Sequence, residues 1–516
     1  MVEDFSEMIE KSARGSLVLM LGQMASTLIN ALGVIYVARL LGSSNYGLIS
    51  IALIPVNVAM LLINNGVAAA MTKFIAEDRH LMGGKNVPSI IFSGLVINIL
   101  TGLMTSLILY FSAGYIANVI FTRPELTPLI KILSIITLAQ ALFTTTASVL
   151  VGFERMDHRN VLSIISSILK SIISPVLVYL GYGLVGAAIG NNIPILFAGL
   201  TGIILIIINL KKSGFTTFNT GYFKPILQYS APIFISAILS GVFLQVLNFI
   251  LPLYASDSQI GNLSAATNFN VLISFVLTPI STAMFPLLSK LSPRDSVFQS
   301  VYNNIIKYEA IVAFPIAAGV IALSSRMVNI LYGTDYQSSI LFIQIIMLNY
   351  LFLGFGSTVN SILLNSQKRT DIQLKITLLY LTVGIPMGVL LIPRYGVLGF
   401  QATTILAPKL GLLYSILWIW KNLRIKLELA STSKIAASAT LSYIACIAIL
   451  SLITSNVWVE LIIGGITLVI VYMTSILLTG ALNAKNISDI KQITIKNKLG
   501  KTLSPVFNLL IKLARS

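Results

Sequence analysis

Charge is what this sequence has least of. Only 10% of its 516 residues are Asp, Glu, Lys or Arg, against 56% hydrophobic, where soluble domains carry about a quarter charged residues. Such a chain cannot dissolve as a globule. Cysteine is nearly absent: Cys446 stands alone inside an apolar run, so it has no thiol partner for a disulfide or a metal site. Histidine occurs only at His80 and His158, in separate polar loops, too few and too far apart for a metal centre. A phosphate-binding loop is missing as well. Gly83-Gly84-Lys85-Asn86 has the wrong spacing and no hydroxyl after the lysine, which argues against ATP hydrolysis. No cofactor is expected.

What the chain has is apolar length. Fourteen runs of about twenty residues recur from end to end, each long enough to cross a hydrocarbon layer of about 30 Å. The fold class expected is an all-α polytopic membrane protein of about 14 transmembrane helices. Six spans fall at 15–38, 46–70, 88–111, 126–150, 160–180 and 184–208. After a linker over 209–225, six more fall at 226–251, 260–286, 303–323, 338–364, 373–393 and 397–420. A second linker, 421–433, precedes spans 13 and 14 (434–454 and 458–480) and a basic tail over 481–516. Acids at Glu3, Asp4, Glu7 and Glu10 precede the first run, and no small-residue cleavage site follows a short apolar core, which reads as a retained helix.

The net charge of +17 is a matter of topology rather than of nucleic-acid binding. The N-terminus, the tail and the even-numbered loops hold 27 of the 34 Lys and Arg, and the odd-numbered loops hold five (Arg39, Arg123, Lys131, Arg326 and Arg394). Basic residues favour the cytosolic side, so both termini are expected in the cytosol and the protein in the cell membrane. Lys170 and Lys409 fit neither side.

The first six spans look like the next six. Gly181-Tyr182-Gly183-Leu184-Val185-Gly186 and Arg394-Tyr395-Gly396-Val397-Leu398-Gly399 share Tyr-Gly-x-x-Gly at an offset of 213. The polar loop Gly152-Phe153-Glu154-Arg155 faces Asn365-Ser366-Gln367-Lys368 at that offset, and Asn45-Tyr46-Gly47 faces Gln259-Ile260-Gly261 at 214. Asn118 and Asn329 fall near the same register. Repeats of six spans keep one orientation, so two six-helix lobes (15–208 and 226–420) are expected, related by an axis along the membrane normal with a site between them.

Val37-Ala38-Arg39-Leu40-Leu41-Gly42-Ser43-Ser44-Asn45-Tyr46-Gly47 resembles the Ala-Arg-Leu-Leu-Gly…Tyr-Gly junction of the polysaccharide-transporter branch of the multidrug/oligosaccharidyl-lipid/polysaccharide exporter superfamily. Val151-Gly152-Phe153-Glu154-Arg155 and the Tyr-Gly-x-x-Gly pair support the resemblance, which covers about residues 10 to 420. It implies two six-helix bundles set as a V, with spans 1, 2, 7 and 8 lining a cavity that opens alternately. It also implies a flippase that carries a polyprenyl-linked oligosaccharide from the cytosolic to the outer leaflet, with no covalent chemistry. A peptidoglycan-precursor flippase and a cation-coupled small-molecule exporter are the alternatives. The exporter normally needs a carboxylate deep in a span, and here only Glu309, near the start of span 9, approaches that depth. Short outer loops with scattered acids (Glu125, Asp257, Asp335, Glu460) offer no place for an enzyme's active site.

Candidate substrate contacts are the polar residues inside apolar runs, since such groups are costly in a bilayer unless they face a cavity or a partner. Lys170 lies eleven residues past Arg159, about 16 Å of helix, and Lys409 lies twelve before Lys421. Either lysine could attract the linking phosphate as a point charge, or snorkel between helices. Arg39 could contact the phosphate from the outer side, pair with an acid such as Asp257, or cap its helix. Gln23, Thr27 and Asn30 share a face of span 1, and Asn57 and Asn64 a face of span 2. Gln245 and Asn248 with Gly241 form a stripe on span 7, and Asn270, Ser274 and Ser281 one on span 8. Amides suit sugar hydroxyls, though they serve equally as hydrogen bonds between helices. The amphipathic segment 1–14 suggests a helix on the membrane surface, and the basic tail suggests anionic lipids or a glycan-assembly protein as partners. Spans 13 and 14 have no polar signature; they either pack or, as the resemblance allows, form a groove for the lipid tail.

Overall fold

A computed structural model describes residues 2–63, 66–212, 220–292, 295–453, 455–482 and 488. The candidate Asn64 and nearly all of the basic tail lie outside the described residues, as do the side chains of the amphipathic N-terminal segment. The described residues form helices and no strand. The first repeat comprises α1 (Val2–Ile63), α2 (Gly66–Leu81), α3 (Val87–Tyr115), α4 (Leu126–Leu133), α5 (Ile135–Gly152), α6 (Met156–Leu177) and α7 (Gly183–Lys212). Then come α8 (Phe223–Ile250), α9 (Asp257–Asn268), α10 (Asn270–Lys290), α11 (Ser296–Leu331), α12 (Ser338–Asn349) and α13 (Val359–Ser366). The chain continues through α14 (Thr370–Tyr395), α15 (Val397–Leu423), α16 (Leu429–Leu452) and α17 (Val457–Leu478).

Among the described residues, twelve helices are long and apolar enough to cross a membrane, so the protein is a multi-pass membrane protein. Two of the twelve, Val18–Leu81 and Met156–Ile208, are long helices bent at glycines. Gly42 (φ 74, ψ 167) breaks the first between spans 1 and 2, and Gly181 (φ 94) breaks the second between spans 5 and 6. Span 8, expected over 260–286, lies within one apolar helical stretch, Asp257–Lys290, with a single irregular turn at Phe269 between α9 and α10.

The internal repeat is written in backbone turns as well as in sequence. Residues held at positive φ recur in pairs: Thr122 (54°) with Gly333 (88°), Glu154 (59°) with Lys368 (58°), and Gly183 (48°) with Gly396 (54°). The polar loop repeats its hydrogen bonds too. Phe153 N, Glu154 N and Arg155 N donate to the carbonyls of Val149, Val151 and Leu150, and Gln367 N, Lys368 N and Arg369 N donate to those of Leu363, Asn365 and Leu364. These pairs stand 214 apart, which corrects the loop's register by one residue from the offset of 213 read in sequence.

The chain falls into two compact units, and their limits differ from those of the repeat. One is Met1–Val271 with Gly384–Thr404, the other Leu272–Val383 with Ile405–Ser516. One of the crossings between units, at 271–272, falls near the start of α10. In the first unit small residues let helices approach, as membrane packing favours. A side chain on Gly33 would collide with Ser171, and one on Gly190 with Ser174. Ser171 Oγ donates to the Ile29 carbonyl at 2.7 Å, and Asn98 Nδ2 to Thr145 Oγ1 at 2.8 Å.

In the second unit Tyr302 donates to Asn360 Oδ1 (2.6 Å), and Asn360 Nδ2 donates to Ser415 Oγ (2.8 Å), a buried relay across α11, α13 and α15. Spans 13 and 14 pack against span 9. Ala310 and Phe314 of α11 meet Ile435, Ala439, Tyr472 and Ile476, while Tyr472 Oη donates to the Ile311 carbonyl at 2.7 Å.

Left-handed backbone costs a side-chain-bearing residue about 1–2 kcal/mol. Gly183→Ala and Gly396→Ala should therefore each lower unfolding stability in detergent by about 1 kcal/mol or more, and Lys368→Gly should leave it unchanged or raise it.

Candidate functional site

The end of the first unit that carries residues 43–47 is its distal end, opposite the N-terminus along α1. Three junctions meet there. Ser256 caps α9 through a reciprocal box in which its Oγ accepts from Gln259 N (3.3 Å) and Gln259 Oε1 accepts from Ser256 N (3.1 Å). That box fixes the start of α9 against the bend after Gly42. Gly47 lies directly on the Asp257 carbonyl and Gly261 on the Ser43 carbonyl, so a methyl group on either would overlap backbone. Around this contact, Ser43 Oγ and Ser258 Oγ share a hydrogen bond of 2.8 Å, and Asn268 Nδ2 donates to Tyr46 Oη at 3.3 Å. The two segments that face each other at an offset of 214 in sequence are thus in backbone contact in space.

Arg123, from the junction of spans 3 and 4, ties the third corner. Its Nε donates to Asp257 Oδ1 at 2.5 Å, its Nη1 to the carbonyls of Phe121 (2.9 Å) and Pro252 (2.8 Å), and its Nη2 to that of Ala255 (3.0 Å). Asp257 sits in the first turn of α9, where helix-end charge also favours an acid. This corrects one expectation: the cation paired with Asp257 is Arg123, while Arg39 is exposed on the bend.

The lysines lie in different units. Lys170 is half-buried and lines a cavity of about 100 Å³ between spans 1, 2, 5 and 6, together with Gly33, Tyr46, Ser50, Ser174 and Asn191. Lys409 places its Nζ 4.1 Å from the ring centre of Phe352, which belongs to a tight helical turn over Tyr350–Phe355. That is a cation–π contact, and it gives Lys409 a partner within its own unit. Of the amides, Gln23 and Asn57 are exposed, whereas Asn30, Gln245, Asn248 and Asn270 are half-buried. Buried oxygens of Asn30 (Oδ1) and Gln245 (Oε1) have no hydrogen-bond partner. Gly241, on the span-7 stripe, is packed against Leu61 of span 2.

A family described as polysaccharide biosynthesis protein matches residues 12–292, more than half of the chain. The chain belongs to that family. It is similar to a protein named for O-antigen transport in Shigella dysenteriae, 25% identical over 269 residues, which are 51% of this chain and 66% of the relative, just under two thirds of its length. It is also similar to an uncharacterised membrane protein of Methanocaldococcus jannaschii, 21% identical over 385 residues (72% of this chain and 88% of that one). Its fold is that of a lipid II flippase, MurJ, in an inward closed conformation, with TM-score 0.71 at 18% identity over 89% of this chain and 98% of that one. An inward-facing multidrug resistance transporter of the MATE family shares the fold, with TM-score 0.61 at 16% identity over 77% of this chain and 94% of that one.

The family membership bears out the resemblance carried by the span 1–2 junction, and the structure shows what the residues of that junction do. Gly42 supplies the bend, Gly47 the backbone contact, and Tyr46 a buried hydroxyl. Sequence reading missed Arg123. An arginine before Pro124 in a short loop carries no signal of its own, and three of its four partners come from a junction over a hundred residues away.

Removing one partner of a largely buried ion pair strands the other. In a double-mutant cycle on unfolding in detergent, Arg123→Ala and Asp257→Ala should each destabilise, with a coupling energy of about 1–2 kcal/mol. A coupling near zero would mean that the carbonyl contacts alone hold Arg123.

Proposed function

We propose that this family member is a flippase for a polyprenyl-(pyro)phosphate-linked oligosaccharide, moving it from the cytosolic to the outer leaflet by alternating access, with both termini in the cytosol and no covalent chemistry. The observation that carries the reading is the distal closure, built from repeat-related junctions that pack glycine on glycine and are latched by Arg123–Asp257. With the termini cytosolic, that closure is an outer gate, shut here. Its polar latches, a few hydrogen bonds and one ion pair, are contacts that can be made and broken. The amides on spans 1, 2, 7 and 8 would meet sugar hydroxyls, with Asn30 and Gln245 offering unpartnered oxygens. Arg39, exposed beside the gate, would meet the phosphate as it leaves.

An apolar cavity of about 450 Å³ between α11 and α17, lined by Pro315, Gly319, Leu323, Leu468 and Tyr472, suits part of a prenyl tail. An anionic headgroup leaving an inside-negative cell also moves with the field, by about 2.3 kcal/mol per charge per 100 mV, so export needs no obligatory ion. Glycan-assembly proteins at the basic tail belong to the same reading.

One observation favours the second reading, a cation-coupled exporter. Glu309 is completely buried in α11, and neither of its carboxylate oxygens has a hydrogen-bond partner. Coupling through Glu309 would make transport in sealed vesicles stop when an ion gradient is removed at fixed voltage, and would make Glu309→Gln uncoupled.

The test is leaflet-resolved accumulation of prenyl-linked glycan in inverted vesicles. The headgroup should become protected in the lumen only when the protein is present. A Ser43→Cys/Ser258→Cys pair, oxidised, should abolish protection and regain it on reduction, against a background of one buried native thiol. Protection that is unaffected by the protein would end the flippase reading for that glycan.

A further inference from the structure

The cavity around Lys170 has features that flipping does not use. It lies wholly within the first unit, between the helices of spans 1, 2, 5 and 6. Its volume of about 100 Å³ is less than the roughly 150 Å³ that accommodates a benzene. A whole lipid-linked sugar does not fit inside it; a few waters or one small ion does.

The lining has one sign. Lys170 contributes an ammonium, and no Asp or Glu lines the cavity. Among the described residues no carboxylate pairs with it and no hydrogen bond engages it, whereas Lys409 at comparable depth in sequence has its aromatic partner. Ammonium is strongly hydrated, and burying one uncompensated is costly. Around it stand groups with protons to give. Ser174 is buried, and among the described residues its hydroxyl makes no hydrogen bond. Asn191 commits one amide N–H to the Ala187 carbonyl (2.9 Å), which leaves the other. Ser50 directs its own proton to the Tyr46 carbonyl (2.8 Å) and offers only lone pairs, a place for a water beside an ion rather than for the ion itself. The walls are held in register by the Ser171–Ile29 bond and the close approaches of Gly33 and Gly190, so the cavity is part of the packing.

We propose that this cavity binds one small inorganic anion, chloride under ordinary conditions, with Lys170 as its counter-charge and Ser174 and Asn191 as hydrogen-bond donors. The anion makes a half-buried lysine tolerable in the helix bundle and keeps its charge neutralised while the distal end is closed. The inference stands apart from the flippase reading, because it concerns an ion held inside one unit and makes no use of a lipid.

Bromide serves as the probe. Purified full-length protein, exchanged into gluconate, should bind radiolabelled chloride saturably and be stabilised against heat by chloride or bromide. Crystals grown in bromide should show an anomalous peak inside the cavity. Lys170→Gln should lose the binding, the stabilisation and the peak. Lys170→Arg, which keeps the charge, should retain at least part of each, and Ser174→Ala should weaken the binding several-fold while the protein stays folded. Chloride binding that is equal in wild type and Lys170→Gln would overturn the proposal, as would the absence of saturable binding in wild type. Displacement of chloride by inorganic pyrophosphate at equal concentration would also overturn it, since that ligand requires a larger, phosphate-type site. None of these results bears on whether the protein flips a lipid, which the vesicle assay decides separately.

Discussion

Backbone against backbone at the distal end is the contact on which the arrangement of the first unit depends. Gly47 and Gly261 each occupy a place where a methyl group would strike a carbonyl oxygen, so the two junctions approach as closely as main chains can. Everything nearby follows from that closeness. Ser43 reaches Ser258, Tyr46 reaches Asn268, and Arg123 can span from its own loop to Asp257 and two carbonyls beyond it. In a membrane, where apolar burial provides little drive between helices, such small-residue contacts and hydrogen bonds are what association rests on. They are also the kind of contact that can be made and broken repeatedly, which is what a gate requires.

The architecture was readable in sequence because the bilayer is a demanding solvent. Apolar length announces each crossing, and the glycines at 183 and 396 announce turns that only they adopt without strain. The repeat was legible for the same reason, since punctuation persists where Leu and Ile interchange freely. Its register in the polar loop was off by one residue because side chains there share little. The left-handed backbone at Glu154 and Lys368 and the repeated hydrogen bonds of the loop fix the pairing.

The site was far less legible. A lysine inside an apolar run looks the same in sequence whether it faces a cavity, as Lys170 does, or an aromatic ring, as Lys409 does. The period of the amide stripes gives a face but not its neighbour, and so Gln23 and Asn57 are exposed while Asn30 and Gln245 are half-buried with unpartnered oxygens. Arg123 shows the opposite failure: it is unremarkable by position and becomes informative through partners that only the folded chain supplies. Glu309 stood out in sequence by its place near the start of span 9, and the fold adds that it is completely buried with unpartnered oxygens.

The central claim is that the distal closure opens and shuts. It is tested most directly by spin labels at positions 43 and 258, with inter-label distances measured in lipid with and without a prenyl-linked glycan. The account predicts a short distance matching the closed junction and, with the lipid present, a second and longer population. It also predicts that Arg123→Ala shifts the balance toward the longer one. A single short distance in every condition, in a preparation that still moves the glycan across the membrane, would contradict it.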